Sequence, residues 1–197
     1  MENNCLIKSS NGLQLVTLTA SLLSKRIIFL DDEINDDTSL SIMKQMIHLM
    51  SEDNTTPISL IIDSPGGELA SGMLLYDFIQ GCACPIDMYC LKAYSMAGVL
   101  FLSGKRRFVF ENSTIMLHEP LIGKHNGGSA SEIKELSNKL IEKAESISEI
   151  ISKHTGKSIK EVKHILKKDT YFTSKEAIDW NLADEIIEIK QLVIDNA

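Results

Sequence analysis

Apolar residues along this chain follow two alternating rhythms. Arg26-Ile27-Ile28-Phe29-Leu30, closed by Asp31-Asp32, is a β-branched and aromatic run that predicts a buried strand. Ile58-Ser59-Leu60-Ile61-Ile62 and the stretch from Ile86 to Leu91 predict two more. Between the first two, Leu40, Met43, Met46, Ile47 and Met50 recur at helical spacing, and Asp36-Asp37-Thr38 offers oxygens to cap that helix. The second strand runs into Asp63-Ser64-Pro65-Gly66-Gly67, and a helix from Glu68 to about Ile79 starts at once. The third passes through a turn at 92–94 into a helix from about Ser95 to Leu102. Arg107–Phe110 and Thr114–Leu117 read as two further short strands. Strands alternating with helices predict an α/β fold with a largely parallel sheet of stacked βαβ units.

The texture changes at Gly123. A polar stretch with Gly127 and Gly128 leads into a helix from about Ala130 to His154, with Ile133, Leu136, Leu140, Ile141, Ala144, Ile147 and Ile151 at three- and four-residue intervals. Such a helix spans about 36 Å, long enough to protrude from a small domain. Short helices follow at 158–166 and 174–180, the second introduced by a capping-box pattern, Thr173-x-x-Glu176. Residues 1–20 mix polar and apolar positions without a clear period. The 197 residues suit a single domain, 1–197, with an N-terminal segment 1–21, a head of 22–122 and 156–188, and a projecting portion 123–155.

Charge narrows the partners. The net charge of −7 argues against a broad nucleic-acid surface, and Lys105-Arg106-Arg107 reads as a solvated turn. Cys82 and Cys84 are spaced too closely for a zinc knuckle, and Cys5 and Cys90 add no ligand pair, so no metal is expected. The start Met1-Glu2-Asn3-Asn4 lacks a basic signal-peptide region, and no apolar run approaches the ~18 residues of a membrane span, so a cytoplasmic location is expected. No Gly-x-x-x-x-Gly-Lys-Ser/Thr loop is present, so ATP is not expected to bind, and no other cofactor is implied.

Candidate chemistry is spread along the chain. Ser95, in Ala93-Tyr94-Ser95-Met96-Ala97-Gly98, lies where a strand enters a helix, a place from which a hydroxyl projects toward nearby amides. His118 ends a strand and is followed by Glu119-Pro120; Asp169 lies between Lys167-Lys168 and Tyr171-Phe172. Each has a plainer reading: a helix cap, a histidine satisfied at a sheet edge, an aspartate ending a helix. His125, His154 and His164 are weaker candidates, and Ser64 beside Pro65 reads as support for its turn. The paired glycines 66 and 67 permit positive φ and close approach of a ligand, and their amides suit half of an oxyanion hole.

In order along the chain, Arg26–Leu30, Asp63–Gly67, Tyr94–Ala97, Met116-Leu117-His118-Glu119-Pro120 and Lys168-Asp169-Thr170-Tyr171-Phe172-Thr173 resemble the motifs of the Clp protease proteolytic subunit, over about residues 22–188. The resemblance implies a ClpP/crotonase-like fold in which 123–155 forms a protruding handle helix through which two rings meet. It implies a serine peptidase in which Ser95 attacks the peptide carbonyl, His118 serves as general base and then acid, and Asp169 orients the imidazole. The amides of Gly67 and Met96 would hold the oxyanion. It further implies heptameric rings stacked into a tetradecamer, fed with unfolded polypeptide by a separate Clp AAA+ unfoldase that uses the ATP. An alternative is a weakly active or regulatory paralogue in a mixed complex. The related crotonase architecture, acting on acyl-CoA, is disfavoured by the serine and histidine at the triad positions.

The chain departs from that pattern in three places. Lys167 and Lys168 stand where the family often has an acidic–basic pair used in ring–ring contacts, and lysine lacks arginine's bidentate fork. Ser59 and Ile61 stand where aromatic residues usually line the pocket for unfoldase loops, with Phe78 and Tyr89 as nearby substitutes. Thr17-Leu18-Thr19-Ala20-Ser21 replaces the usual segment before Leu22. These changes leave the triad positions intact and suggest a divergent paralogue working in mixed rings.

Overall fold

A computed structural model describes residues 4–9, 12–121 and 127–195. The chain opens with an antiparallel hairpin, β1 (Asn4–Ser9) and β2 (Gly12–Thr17), and a short helix α1 (Leu18–Leu23). Neither the hairpin nor α1 was expected, because their leucines do not partition to a buried face: Leu6, Leu13, Leu15 and Leu18 are all exposed.

The head then follows the expected alternation: β3 (Ile27–Leu30), α2 (Asp36–Glu52), β4 (Ile58–Ser64), α3 (Leu69–Gln80), β5 (Ile86–Tyr94), α4 (Met96–Phe101) and β6 (Arg106–Leu117). Strands β3, β4, β5 and β6 pair in parallel in that order. Five consecutive buried residues open β4, as expected of a parallel strand covered on both faces. The two short strands expected at 107–110 and 114–117 are one irregular strand. Ser113 joins them: its hydroxyl donates to the Cys90 carbonyl at 2.5 Å and accepts from Phe110 N at 2.8 Å, opposite a register shift in β5. The cap of α2 is also one residue earlier than expected. Asn35 and Thr38 bond reciprocally, leaving Asp36 and Asp37 in the first turn, where carboxylates suit the helix dipole.

After α5 (Ala130–Thr155) come α6 (Ile159–Leu166), β7 (Thr170–Thr173), α7 (Ser174–Asp179), β8 (Glu185–Ile187) and α8 (Ile189–Asp195). Thr173 and Glu176 form the expected capping box. Strand β7 adds to β6 antiparallel, and β8 pairs with β6 in parallel. Both are four residues or fewer, too short to show a period of their own. Helix α5 has no buried side chain from Ala130 to Ser146, whereas Ile147, Ser148, Ile151 and Thr155 are sunk in the head. Residues 123–126 of the expected projecting portion lie outside the described residues.

The main core lies between the sheet and α2–α7, and a smaller one on the opposite face gathers Ile27, Ile61, Tyr89, Phe108, Ile187 and Leu192. Tyr89 is therefore interior, stacked on Phe108 at 5.0 Å, and Phe78 packs half-buried against the main core. Arg26 donates to the carbonyls of Leu49, Asp53, Thr56 and Pro57, locking the end of α2 and the following loop to β3. Among the described residues no helix is long and apolar enough to cross a membrane.

The base of α5 is pinned to α3 by His154 Nε2, 2.7 Å from the Tyr76 hydroxyl. Burial, with help from the Arg107 and Lys153 cations, holds the His154 pKa below its usual value. A depressed histidine stabilises the fold while it stays neutral; the contribution is intact above the unfolded value of 6.5 and fades as pH falls below it. Lowering the pH from about 7.5 to about 5.5 is therefore expected to reduce the urea midpoint, and His154→Gln to remove part of that decline. An identical decline in the variant would count against this account.

Candidate active site

Two turns at the carboxyl ends of neighbouring strands build the site, the usual place for ligands in an open α/β sheet. At the end of β5, Ser95 takes φ 55° and ψ −123°, a conformation that side chains other than glycine rarely adopt. Its hydroxyl does not cap α4, which is how the plainer reading would have used it. Every residue of α4 is buried, so the helix cannot shift to relax the turn. At the end of β4, Ser64 is buried; its hydroxyl donates to the Asp32 carbonyl at 2.6 Å and accepts from Gly66 N at 3.1 Å, the supporting role expected of it.

The turns touch at Gly66. With φ 92°, a Cβ there would lie 2.5 Å from the Tyr94 carbonyl oxygen and 2.8 Å from Ser95 Cβ. Gly67 bridges to Ile34: Ile34 N donates to Gly66 O and Glu68 N to Ile34 O, both at 2.7 Å. The Gly67 and Met96 N–H groups have no acceptor among the described residues. Gly67 and Met96 line the same cleft as Ser95, a cavity of roughly 480 Å³.

His118, just past β6, closes the pair: its Nε2 lies 2.7 Å from Ser95 Oγ. For Ser95 to donate to Nε2, the imidazole proton must sit on Nδ1. That atom is buried and has no hydrogen-bond partner among the described residues, an arrangement that costs about 1–3 kcal/mol. Asp169 does not supply the missing bond. The β6–β7 ladder ends at Leu117 opposite Thr170, so one further step of register sets Asp169 opposite His118. There the backbone turns away, Glu119 N donating to Leu166 O at 2.8 Å, and the Asp169 side chain is exposed. The structure brings Ser95, His118, Gly67 and Met96 into one cleft and leaves Asp169 adjacent to it but unbonded to the histidine.

The other titratable candidates stand apart. His154 serves the Tyr76 contact, His164 is exposed on α6, and His125 lies outside the described residues. Burial, with the neighbouring Cys84, pushes the Cys82 thiol up to about 11; burial, with Asp63, pushes Cys90 to about 12, so neither is a thiolate at neutral pH. Among the described residues no group of three or more His, Cys, Asp and Glu side chains could hold a metal ion. Lys167 and Lys168 are exposed, without an ion-pair partner among the described residues.

Several residues of the site were not foreseen. Leu69, Val99, Leu121, Leu140 and Ile147 give the cleft an apolar wall, and Glu33 and Glu68 an acidic one. Leu140 and Ile147, seven apart on α5, were legible as one helical stripe, but not as a stripe that faces this cleft. Gly66→Ala is expected to destabilise the fold by about 2 kcal/mol or more, read as a lower urea midpoint, because both its positive φ and its contact with Ser95 forbid a side chain. A variant as stable as the parent would show that the two turns do not meet as described.

A family model described as Clp protease matches residues 10–190 of the chain.

Proposed function

Because a match over most of its length places this chain in the Clp protease family, a family of peptidases, we propose that it is the peptidase subunit of a Clp-type serine protease with its chemistry on Ser95. The single observation that carries the reading is the 2.7 Å approach of Ser95 Oγ to His118 Nε2 beside the two unused amides of Gly67 and Met96. His118 takes the hydroxyl proton as Ser95 Oγ bonds to the scissile carbonyl carbon, and the carbonyl oxygen, now an anion, is held by the two amides. The C–N bond then breaks, His118 returns the proton to the leaving amine, and an acyl-enzyme remains. Water, deprotonated by the same histidine, releases the second product and restores the serine. Asp169 serves as the third member, its carboxylate accepting from Nδ1–H and stabilising the imidazolium, once its side chain turns inward.

On this reading the subunit needs no cofactor, and ATP is used by a Clp AAA+ unfoldase that delivers unfolded chains. It works in the cytoplasm, in heptameric rings stacked as a tetradecamer, with residues 123–155 as the handle between rings. One observation favours a second reading, a weakly active or regulatory subunit acting with a standard paralogue in mixed rings. It is the buried, unpartnered Nδ1 of His118 beside an exposed Asp169.

A fluorophosphonate probe and an unfolded protein substrate separate the two. A peptidase subunit is labelled at Ser95, and Ser95→Ala loses both labelling and at least roughly 10⁴-fold of its kcat. Asp169→Asn then lowers kcat by about 10²- to 10⁴-fold while leaving the particle assembled. A regulatory subunit stays unlabelled even with a partner subunit and unfoldase added, and Asp169→Asn changes nothing. Proteolysis surviving Ser95→Ala would defeat the catalytic assignment.

A further inference from the structure

The two walls of the Ser95 cleft differ in kind. Beside the apolar side chains from α3, α4 and α5, the cleft is lined by Glu33 and Glu68 of the β3–α2 and β4–α3 turns. Glu33, an exposed residue, lies against Gly67: its Cγ is 2.9 Å from where a Gly67 Cβ would stand. Glu68 is the next residue along. Neither carboxylate has a cationic partner among the described residues, although six lysine or arginine ion pairs form elsewhere among them.

Hydrogen bonding does not spend these charges either. The buried Ser71 hydroxyl lies 2.6 Å from Asp36 Oδ1 and 3.0 Å from Glu68 Oε2. One proton serves one acceptor, and the shorter bond goes to Asp36. Glu68 thus keeps accepting capacity and has a second carboxylate close behind it. Leu69 N–H, in the first turn of α3, also has no acceptor among the described residues.

We propose that Glu33 and Glu68 are specificity-determining residues that select unfolded polypeptide segments carrying lysine or arginine close to the scissile bond. The inference rests on the reading that the Ser95 cleft holds a peptide. A substrate cation set against this wall meets two carboxylates that have no cationic partner among the described residues. A substrate carboxylate meets like charge on one side and an apolar wall on the other. Both effects push the same way.

Binding tests this without relying on the chemistry. Full-length Ser95→Ala protein is titrated, by fluorescence anisotropy, with two labelled peptides that share an apolar residue at the central position and differ by Lys or Glu beside it. The lysine peptide is expected to bind about tenfold more tightly, and the ratio to shrink at roughly 0.5 M salt, where the Debye length is only a few Å. In Ser95→Ala with Glu33→Gln and Glu68→Gln the ratio is expected to fall to within about twofold. Glu142→Gln with Glu149→Gln, an equal charge change on α5, leaves it intact. Equal affinities in the parent, no binding of either peptide, or a ratio that survives the Glu33/Glu68 change overturns the proposal. Fluorophosphonate labelling of the Ser95 protein is scored separately, so failure of the selectivity and failure of the catalytic reading are distinguishable.

Discussion

Two backbone turns pressed together with no room for a side chain between them govern this site. Gly66 lies against the Tyr94–Ser95 peptide so closely that even a methyl group would collide with it. That contact fixes the Ser95 turn against the glycine turn, and Gly67 and Met96 line the same cleft as Ser95. Rigidity comes from both flanks: α4 is buried along its whole length, and the Ser64 hydroxyl braces the glycine turn from below. The strained φ of Ser95 persists because the surrounding packing leaves it no alternative.

The hydrogen-bond inventory of the cleft is uneven in a way that bears on function. Among the described residues Ser95 and His118 are paired, the two amides have no acceptor, and Nδ1 of the histidine is buried without a partner. A buried polar atom without a partner is a standing penalty that a nearby carboxylate can remove. Asp169 is one step of register from doing so, at the end of a short edge strand whose neighbours are exposed lysines. The pair to which we assign proton transfer is thus held by the interior of the head, whereas the group we assign to orient it is held by the periphery.

The long helix α5 connects these levels. Its N-terminal part has no buried side chain, its C-terminal part is anchored in the head through Ile147, Ile151 and the His154–Tyr76 contact, and Leu140 and Ile147 line the cleft. Helix α5 therefore contributes part of the apolar lining of the site, whereas Glu33 and Glu68 come from the β3–α2 and β4–α3 turns.

Much of this was legible in order along the chain. The strand–turn–helix rhythm from Arg26 to Leu102, the α5 stripe and the Thr173–Glu176 cap follow from local periodicity and capping chemistry, which act over a few residues. The five motifs in sequence pointed to Ser95, His118 and Asp169, with Gly67 and Met96, before any distance was known. What lay beyond local reading were features produced by contact between distant segments: the fusion of two strands into β6 by Ser113, the pairing of short β7 and β8, and the burial of Tyr89. The same holds for the orphaned Nδ1 and the exposed Asp169. Residue types and their spacing determined which groups are available for chemistry; tertiary packing alone decided which of them meet, because a shift of a few ångströms makes or breaks a hydrogen bond yet leaves no trace in the order of the residues.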